Sequence, residues 1–330
     1  MKRRCFLMSL SGAVIWSRAA LAQQTGNKVS RIGMLVPYPE RDAEGKARVA
    51  AFKEKLQDLG WIEGRNLQLD VRWAGPDIER LRSAAEELVS LQPDLIVCNG
   101  TAALVALARD TSSIPIIFVV VSDPAGLGLV TNFAHPGGNI TGFTNAEFSI
   151  GEKWVQTIKE IAPNVTRVGV LFNPAMSPYA SLYMRPIEVA SSSLAIEIST
   201  LSVGDTAELE RAIRALATAP NVALIVMADS FMMANRERIV ALAAELRLPA
   251  IYPYRYFVTA GGLICYGLPT IELFPQAASY ADRILKGVKP GDLPIQQPNS
   301  YDMVVNLKTA RTLGLTVPLS LLARANEVIE

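Results

Sequence analysis

Short apolar runs alternate along the chain with longer stretches in which apolar residues recur every three or four positions. The short runs, rich in Val, Ile and Leu, read as strands buried on both faces, the habit of parallel sheets; the longer stretches read as amphipathic helices. In the first half the strands fall at 31–37 (RIGMLVP), 67–73, 95–98 and 114–121. Helices fall between them at 43–59, 77–91 and 102–109, with Gly60 closing the first and Asp77 capping the second. A further helix is expected from Ala125, capped by Ser122 or Asp123. The segment Pro136-Gly137-Gly138-Asn139 and the residues to Asn145 look like a crossing into a second domain. The alternation then restarts, with strands at 167–172, 197–203, 223–228, 250–252 and 263–266 and helices at 151–161, 179–195, 205–217 and 231–246. This is the pattern of an α/β protein with two doubly wound parallel-sheet lobes, the second a structural duplicate of the first without a clear sequence repeat. The tail breaks the pattern: a helix at 271–285, a Gly- and Pro-rich linker at 287–298, a strand at 301–306 and an amphipathic helix at 319–329. A helix and a strand joined by such a linker can sit on different lobes, which would make a third crossing.

With 330 residues, half of them hydrophobic, the chain can bury two real cores. Lys2-Arg3-Arg4, the apolar centre 6–16 and Ala20-Leu21-Ala22 make an export leader with cleavage expected after Ala22 and a destination in the periplasm. Arg3-Arg4 also fits a twin-arginine signal, and the two export routes stay open. The leader carries four basic residues (Lys2, Arg3, Arg4, Arg18) and no acidic one, so its removal takes the net charge from +1 to −3. No basic patch stands out, which argues against a nucleic-acid partner. Cys98 and Cys265 each lie in a strand-like run and read as buried small hydrophobes, with a disulfide as the alternative.

Parallel sheets bind ligands at the C-terminal ends of their strands. The polar or aromatic residues at those ends are Tyr38, Asn99, Thr101, Ser122 and Asp123 in the first half and Asn145, Asn173, Asp229 and Tyr254 in the second, with Tyr266 as a further aromatic wall. Thr101 and Ser122 precede expected helices, so a carboxylate there would meet hydroxyls and backbone N–H groups at two positive helix ends. An amine would need an acid, and Asp229 is the first choice. Each residue has a plainer reading: Ser122, Asp123 and Asp229 as helix caps, Asn99-Gly100 as a tight turn, the tyrosines as packing between lobes. Enzyme readings find little support. His135 is the sole histidine and sits beside Pro136, and HExxH, GxSxG and CxxC motifs are absent. No cofactor or metal is implied.

Five phrases carry a resemblance: AFKEKLQDLGWIEGRNLQLDVRWA (51–74), SDPAGLGLVTNFAHPGGNITGFTN (122–145), GGLICYG (261–267), ADRILKGVKPGDLPIQQP (281–298) and TARTLGLTVPLSLLARANEVIE (309–330). Together they resemble the type I periplasmic solute-binding proteins of ABC importers, within the family that includes tryptophan- and tyrosine-binding members. The resemblance implies two lobes joined by a three-segment hinge, 29–142 with 268–296 against 143–267 with 297–330. It implies a small-molecule ligand held between them by a monomer that works with an ABC permease and ATPase. For the ligand it adds weight to an amino acid or related zwitterion, aromatic ones included. Two alternatives stay open: a sensory ligand-binding protein feeding a membrane receptor, and an α/β enzyme.

Overall fold

The computed structural model describes residues 29–145, 147–297 and 300–330; the export leader read at 1–22 lies outside them. The chain builds two sheets. The first contains β1 (Ser30–Val36), β2 (Leu67–Trp73), β3 (Leu95–Asn99), β4 (Ile116–Val121) and β5 (Ile140–Thr144), all parallel in the order β2-β1-β3-β4-β5. Helices α1 (Ala43–Asp58), α2 (Ile78–Ser90) and α3 (Thr101–Asp110) connect successive strands. β3 and β4 are buried along their whole length, as strands covered on both faces must be.

The second sheet repeats the plan. β6 (Arg167–Phe172), β7 (Glu197–Ser202), β8 (Val222–Val226), β9 (Ala250–Tyr252) and β10 (Ile264–Gly267) take the order β7-β6-β8-β9-β10. β11 (Asp302–Asn306) adds antiparallel to β10, and β12 (Glu327–Ile329) adds parallel to β11. The intervening helices are α4 (Ile150–Ile161), α5 (Ala180–Ser193), α6 (Thr206–Leu216), α7 (Ser230–Ala234), α8 (Arg236–Glu245) and the short α9 (Arg255–Thr259). After β10 the chain returns to the first sheet as α10 (Leu273–Leu285), which packs against α1 and β4; it then goes back to the second sheet as β11. The Trp61 indole N–H donates to the Asp282 carboxylate at 3.0 Å, fastening α10 beside the end of α1. Short helices α11 (Leu307–Thr312) and α12 (Leu319–Arg324) follow β11.

Four local expectations are corrected. No helix starts at Ala125: the Asp123 carboxylate accepts the Gly126 N–H, one turn forms, and Gly128 at φ 72° ends it. The 140–144 segment, read as part of a crossing, is β5. The stretch 231–246 is two helices, Ser230–Ala234 and Arg236–Glu245, which meet at Asn235, whose side-chain amide donates to the Phe231 carbonyl at 2.9 Å. The closing helix stops at Arg324, after which Asn326 exchanges hydrogen bonds with Met303 and pulls the β-branched end into the sheet edge as β12. Cys98 and Cys265 are free, buried, and lie in different sheets; burial raises both thiol pKa values, that of Cys265 to about 12.

At the end of β10 the backbone of Gly267 lies so close to Pro253 that a Cβ there would stand 1.6 Å from the Pro253 carbonyl oxygen. Gly267→Ala is therefore expected to cost about 2–3 kcal/mol, as overpacking against unyielding backbone does. A urea melt checks this, and an unchanged midpoint would show that the strands can part freely.

Candidate functional site

The order 2-1-3-4-5 reverses direction between strands 1 and 3, and open α/β sheets take ligands at that switch point. In the first sheet it lies between β1 and β3, in the second between β6 and β8. The structure sets the two switch points face to face. From the first lobe Tyr38, Asn99 and Thr101 line the cavity between them; from the second come Met176, Tyr179, Asp229, Met233 and Tyr254. The lobes are shut on it: about 30 Å³ is open to the centre of a water-sized sphere, room for a water or two. A larger guest must be admitted with the lobes apart. The two methionines are the adaptable part of the wall.

The first-lobe side is built to take negative charge. Gly100 caps α3 at φ 86°, a conformation that favours glycine, and it has no side chain to satisfy the helix's first N–H groups. Residues Gly100 to Ala103 line the cavity, so that positive helix end faces the ligand space. The Thr101 hydroxyl accepts the Ser122 N–H at 3.1 Å, which leaves its own proton to donate. Just before Ser122, β4 carries a bulge at Val120, whose φ of 59° is strained for a β-branched residue. Val120 lines the cavity, a place where backbone strain is often stored.

The second-lobe side carries one acid. Asp229 is 3 % exposed and caps α7, accepting the Met232 N–H at 2.9 Å on one oxygen and the Asn173 N–H at 2.9 Å on the other. Burial raises its pKa to about 7 despite these hydrogen bonds, which favour the ionised form. The Ser177 hydroxyl lies 3.5 Å from the second of these oxygens. The Tyr179 hydroxyl donates to the Ala228 carbonyl at 2.6 Å, which orients its ring beside Asp229.

Of the residues singled out from sequence, Tyr38, Asn99, Thr101, Asp229 and Tyr254 come together in this cavity. Ser122, Asn145 and Asn173 stand one layer behind it. The Ser122 hydroxyl donates to the Asn145 side-chain oxygen at 2.9 Å, and Asn173 donates to Asp229. Asp123 is occupied in the turn with Gly126, and Tyr266 stacks on Tyr301 while its carbonyl accepts the Trp154 indole N–H. With no helix after Ser122, one helix end rather than two faces the ligand space from this lobe. Sequence reading passed over Tyr179, the two methionines and, above all, Arg48, which is 2 % exposed and lines the cavity from α1. The signal for Arg48 was available, because Gly45, Arg48, Val49, Phe52 and Leu56 share the buried face of that helix.

The two lobes also meet through a buried ion pair. The Asp42 carboxylate caps α1 with one oxygen, accepting the Gly45 N–H at 2.9 Å. Its other oxygen lies 2.5 Å from a guanidinium nitrogen of Arg236, which begins α8; the side chains are 7 % and 11 % exposed.

The family described as "ABC transporter substrate binding protein" matches residues 35–329. A "Tyrosine-binding protein" of Clostridioides difficile (strain R20291) is 28% identical over 284 residues, 86% of this chain and 80% of that one. The crystal structure of a "conserved domain protein" from Vibrio cholerae superposes with a TM-score of 0.83 at 29% identity, covering 91% of this chain and 100% of that one. An "ABC domain in complex with L-Trp" from Streptococcus pneumonia shares the fold at a TM-score of 0.82 and 24% identity, covering 91% and 99%. Two parallel-sheet lobes facing each other across a cavity, and a family match over nearly the whole described chain, place this protein in the ABC transporter substrate binding protein family, whose members are binding proteins rather than enzymes.

Proposed function

We propose that the chain is the extracytoplasmic binding component of an ABC importer and that it holds a free amino acid, aromatic by preference, between its lobes. The carrying observation is the polarity of the cavity: an uncapped helix end and the Thr101 hydroxyl on one wall, the Asp229 carboxylate on the other. That pairing suits a carboxylate and an ammonium on one small molecule. Tyr38, Tyr179 and Tyr254 supply faces for a ring. The tyrosine-binding relative and the L-Trp complex support the same class of guest. No helix among the described residues is long and apolar enough to cross a membrane. In this reading the lobes divide near 29–144 with 268–296 against 145–267 with 297–330; β5 holds 143 and 144 to the first sheet, two residues beyond the limit of 142 expected from sequence. Closure over the guest is the shape change that a permease and ATPase would read.

The test is a thermal-shift panel on the chain from Gln23, with amino acids, sugars, nucleosides and simple carboxylates. A ligand that binds only the folded state at 100 times its Kd adds about 2.7 kcal/mol. Shifts confined to L-tyrosine, L-tryptophan and L-phenylalanine are the expected result. Shifts with sugars or nucleosides alone would overturn the reading.

One observation favours a second guest. Burial holds the Asp229 pKa up at about 7, and a protonated Asp229 would suit an aromatic monocarboxylate without an amine.

A further inference from the structure

Among the described residues, no carboxylate pairs with the charge on Arg48. Its guanidinium donates to the Tyr38 hydroxyl at 2.6 Å, the Asn99 side-chain oxygen at 2.8 Å and the Thr270 hydroxyl at 3.0 Å, all neutral acceptors. Three aromatic rings surround it, Tyr38, Phe274 and Tyr256, with centroids 5.0, 5.7 and 6.0 Å from its central carbon. Glu44, one turn earlier on α1, acts on it only at a distance, and no ion pair joins Arg48 to a described carboxylate. Its Nε is buried without a partner.

An arginine does not neutralise itself by losing a proton, and burying an uncompensated cation is costly. The rings and neutral acceptors offset part of that cost. They also hold the guanidinium rigidly in the wall of the ligand cavity, where three of its five N–H groups are spent and the rest are not. A fixed, dehydrated positive charge beside an uncapped helix end is a preorganised anion site.

We infer that Arg48 is the charge partner of a carboxylate on the ligand and the residue that sets the cavity's requirement for an anion. This rests on the interlobe cavity being the ligand site, as proposed above, but not on the ligand being an amino acid. Asp229 would select the amine; Arg48 selects the carboxylate.

The test compares matched probes on the unaltered protein by calorimetry: L-tryptophan and L-tyrosine, their amides, and indole-3-propionate and 3-(4-hydroxyphenyl)propionate. The same titrations are repeated on Arg48→Gln and Arg48→Lys, each checked for folding by circular dichroism. Masking the carboxylate as an amide is expected to weaken binding at least about 100-fold, since one member of a buried, hydrogen-bonded charge pair is removed. Arg48→Gln should lose a similar factor for the acids and bring acid and amide close together, while Arg48→Lys, which keeps the charge but not the fork, should lose less. The amide comparison needs no substitution and stands even if a variant fails to fold. Amides that bind the unaltered protein as well as the acids overturn the inference while leaving the cavity as the ligand site. Propionates that bind in an Arg48-dependent way, with the amino acids silent, uphold the inference and overturn the amino-acid reading. Failure of every carboxylate overturns both.

Discussion

An aromatic amino acid is expected to bind about 100-fold more weakly at pH 5 than at pH 8, the size that a single proton linked to a group of pKa near 7 imposes. The group is Asp229. Burial pushes its pKa up to about 7; the N–H groups of Asn173, Met232 and Phe231 and the Ser177 hydroxyl pull it down without winning. Tyr179 and Tyr254 are titratable groups close enough to feel its charge, and Arg48 lines the same cavity. In the ligand-free protein Asp229 is therefore protonated well below pH 7 and ionised above it. An ammonium group pairs with the ionised form, so binding below pH 7 must expel a proton, and affinity falls tenfold per pH unit. The amino acid's own groups titrate outside this window. Calorimetry in two buffers of different ionisation heat would detect the released proton. Affinity that stays flat from pH 8 to pH 5 would take the ammonium off Asp229; affinity that rises as pH falls would favour the monocarboxylate. The stability of the free protein runs with the opposite sign. A folded carboxyl that keeps its proton to pH 7, against 3.8 when unfolded, withdraws stability as pH rises through that interval.

The second large effect is expected at the seam between the lobes. Asp42 and Arg236 form their buried pair with the lobes shut, and opening returns both charges to water. Arg236→Gln leaves Asp42 buried without its counterion in the closed form, a loss on the order of 3–5 kcal/mol when one partner of such a pair is removed. Closure that depends on ligand would then weaken by about 100-fold or more. Asp42→Asn is the cleaner partner, because its side-chain oxygen can still accept the Gly45 N–H and cap α1. Both variants should melt close to the parent without ligand, yet show a larger radius of gyration with it. Ligand affinity unchanged in Arg236→Gln would mean that the pair only decorates the contact and does not hold the lobes together.

The alternation of apolar runs and helical periods was enough to give two doubly wound lobes, because a strand covered on both faces has no other use for IIFVVV or VALIV than the middle of a parallel sheet. The tips of those strands followed from the same pattern, and five of the ten candidate residues meet in the cavity. Hidden from sequence was anything decided by a single backbone bond. A glycine with positive φ stopped the turn after Ser122, and one asparagine, Asn326, turned the end of the chain from helix to strand. In each case local propensity was overruled by one hydrogen bond or one dihedral angle.

Charge shows the division most clearly. The sequence by itself set Arg48 on the same face of α1 as Phe52 and Leu56, without showing what that face would meet, and set Asp229 at the end of β8. Only the tertiary structure decided that the two line one cavity and that no described carboxylate pairs with Arg48. It alone showed that Asp42 on one lobe meets Arg236 on the other, 194 positions along the chain. The physical reason is range. Periodicity reports what a residue's own element requires of it, over one or two turns, whereas a buried charge is balanced or left unbalanced by whatever distant segments the packing of two sheets brings within a few ångströms of it.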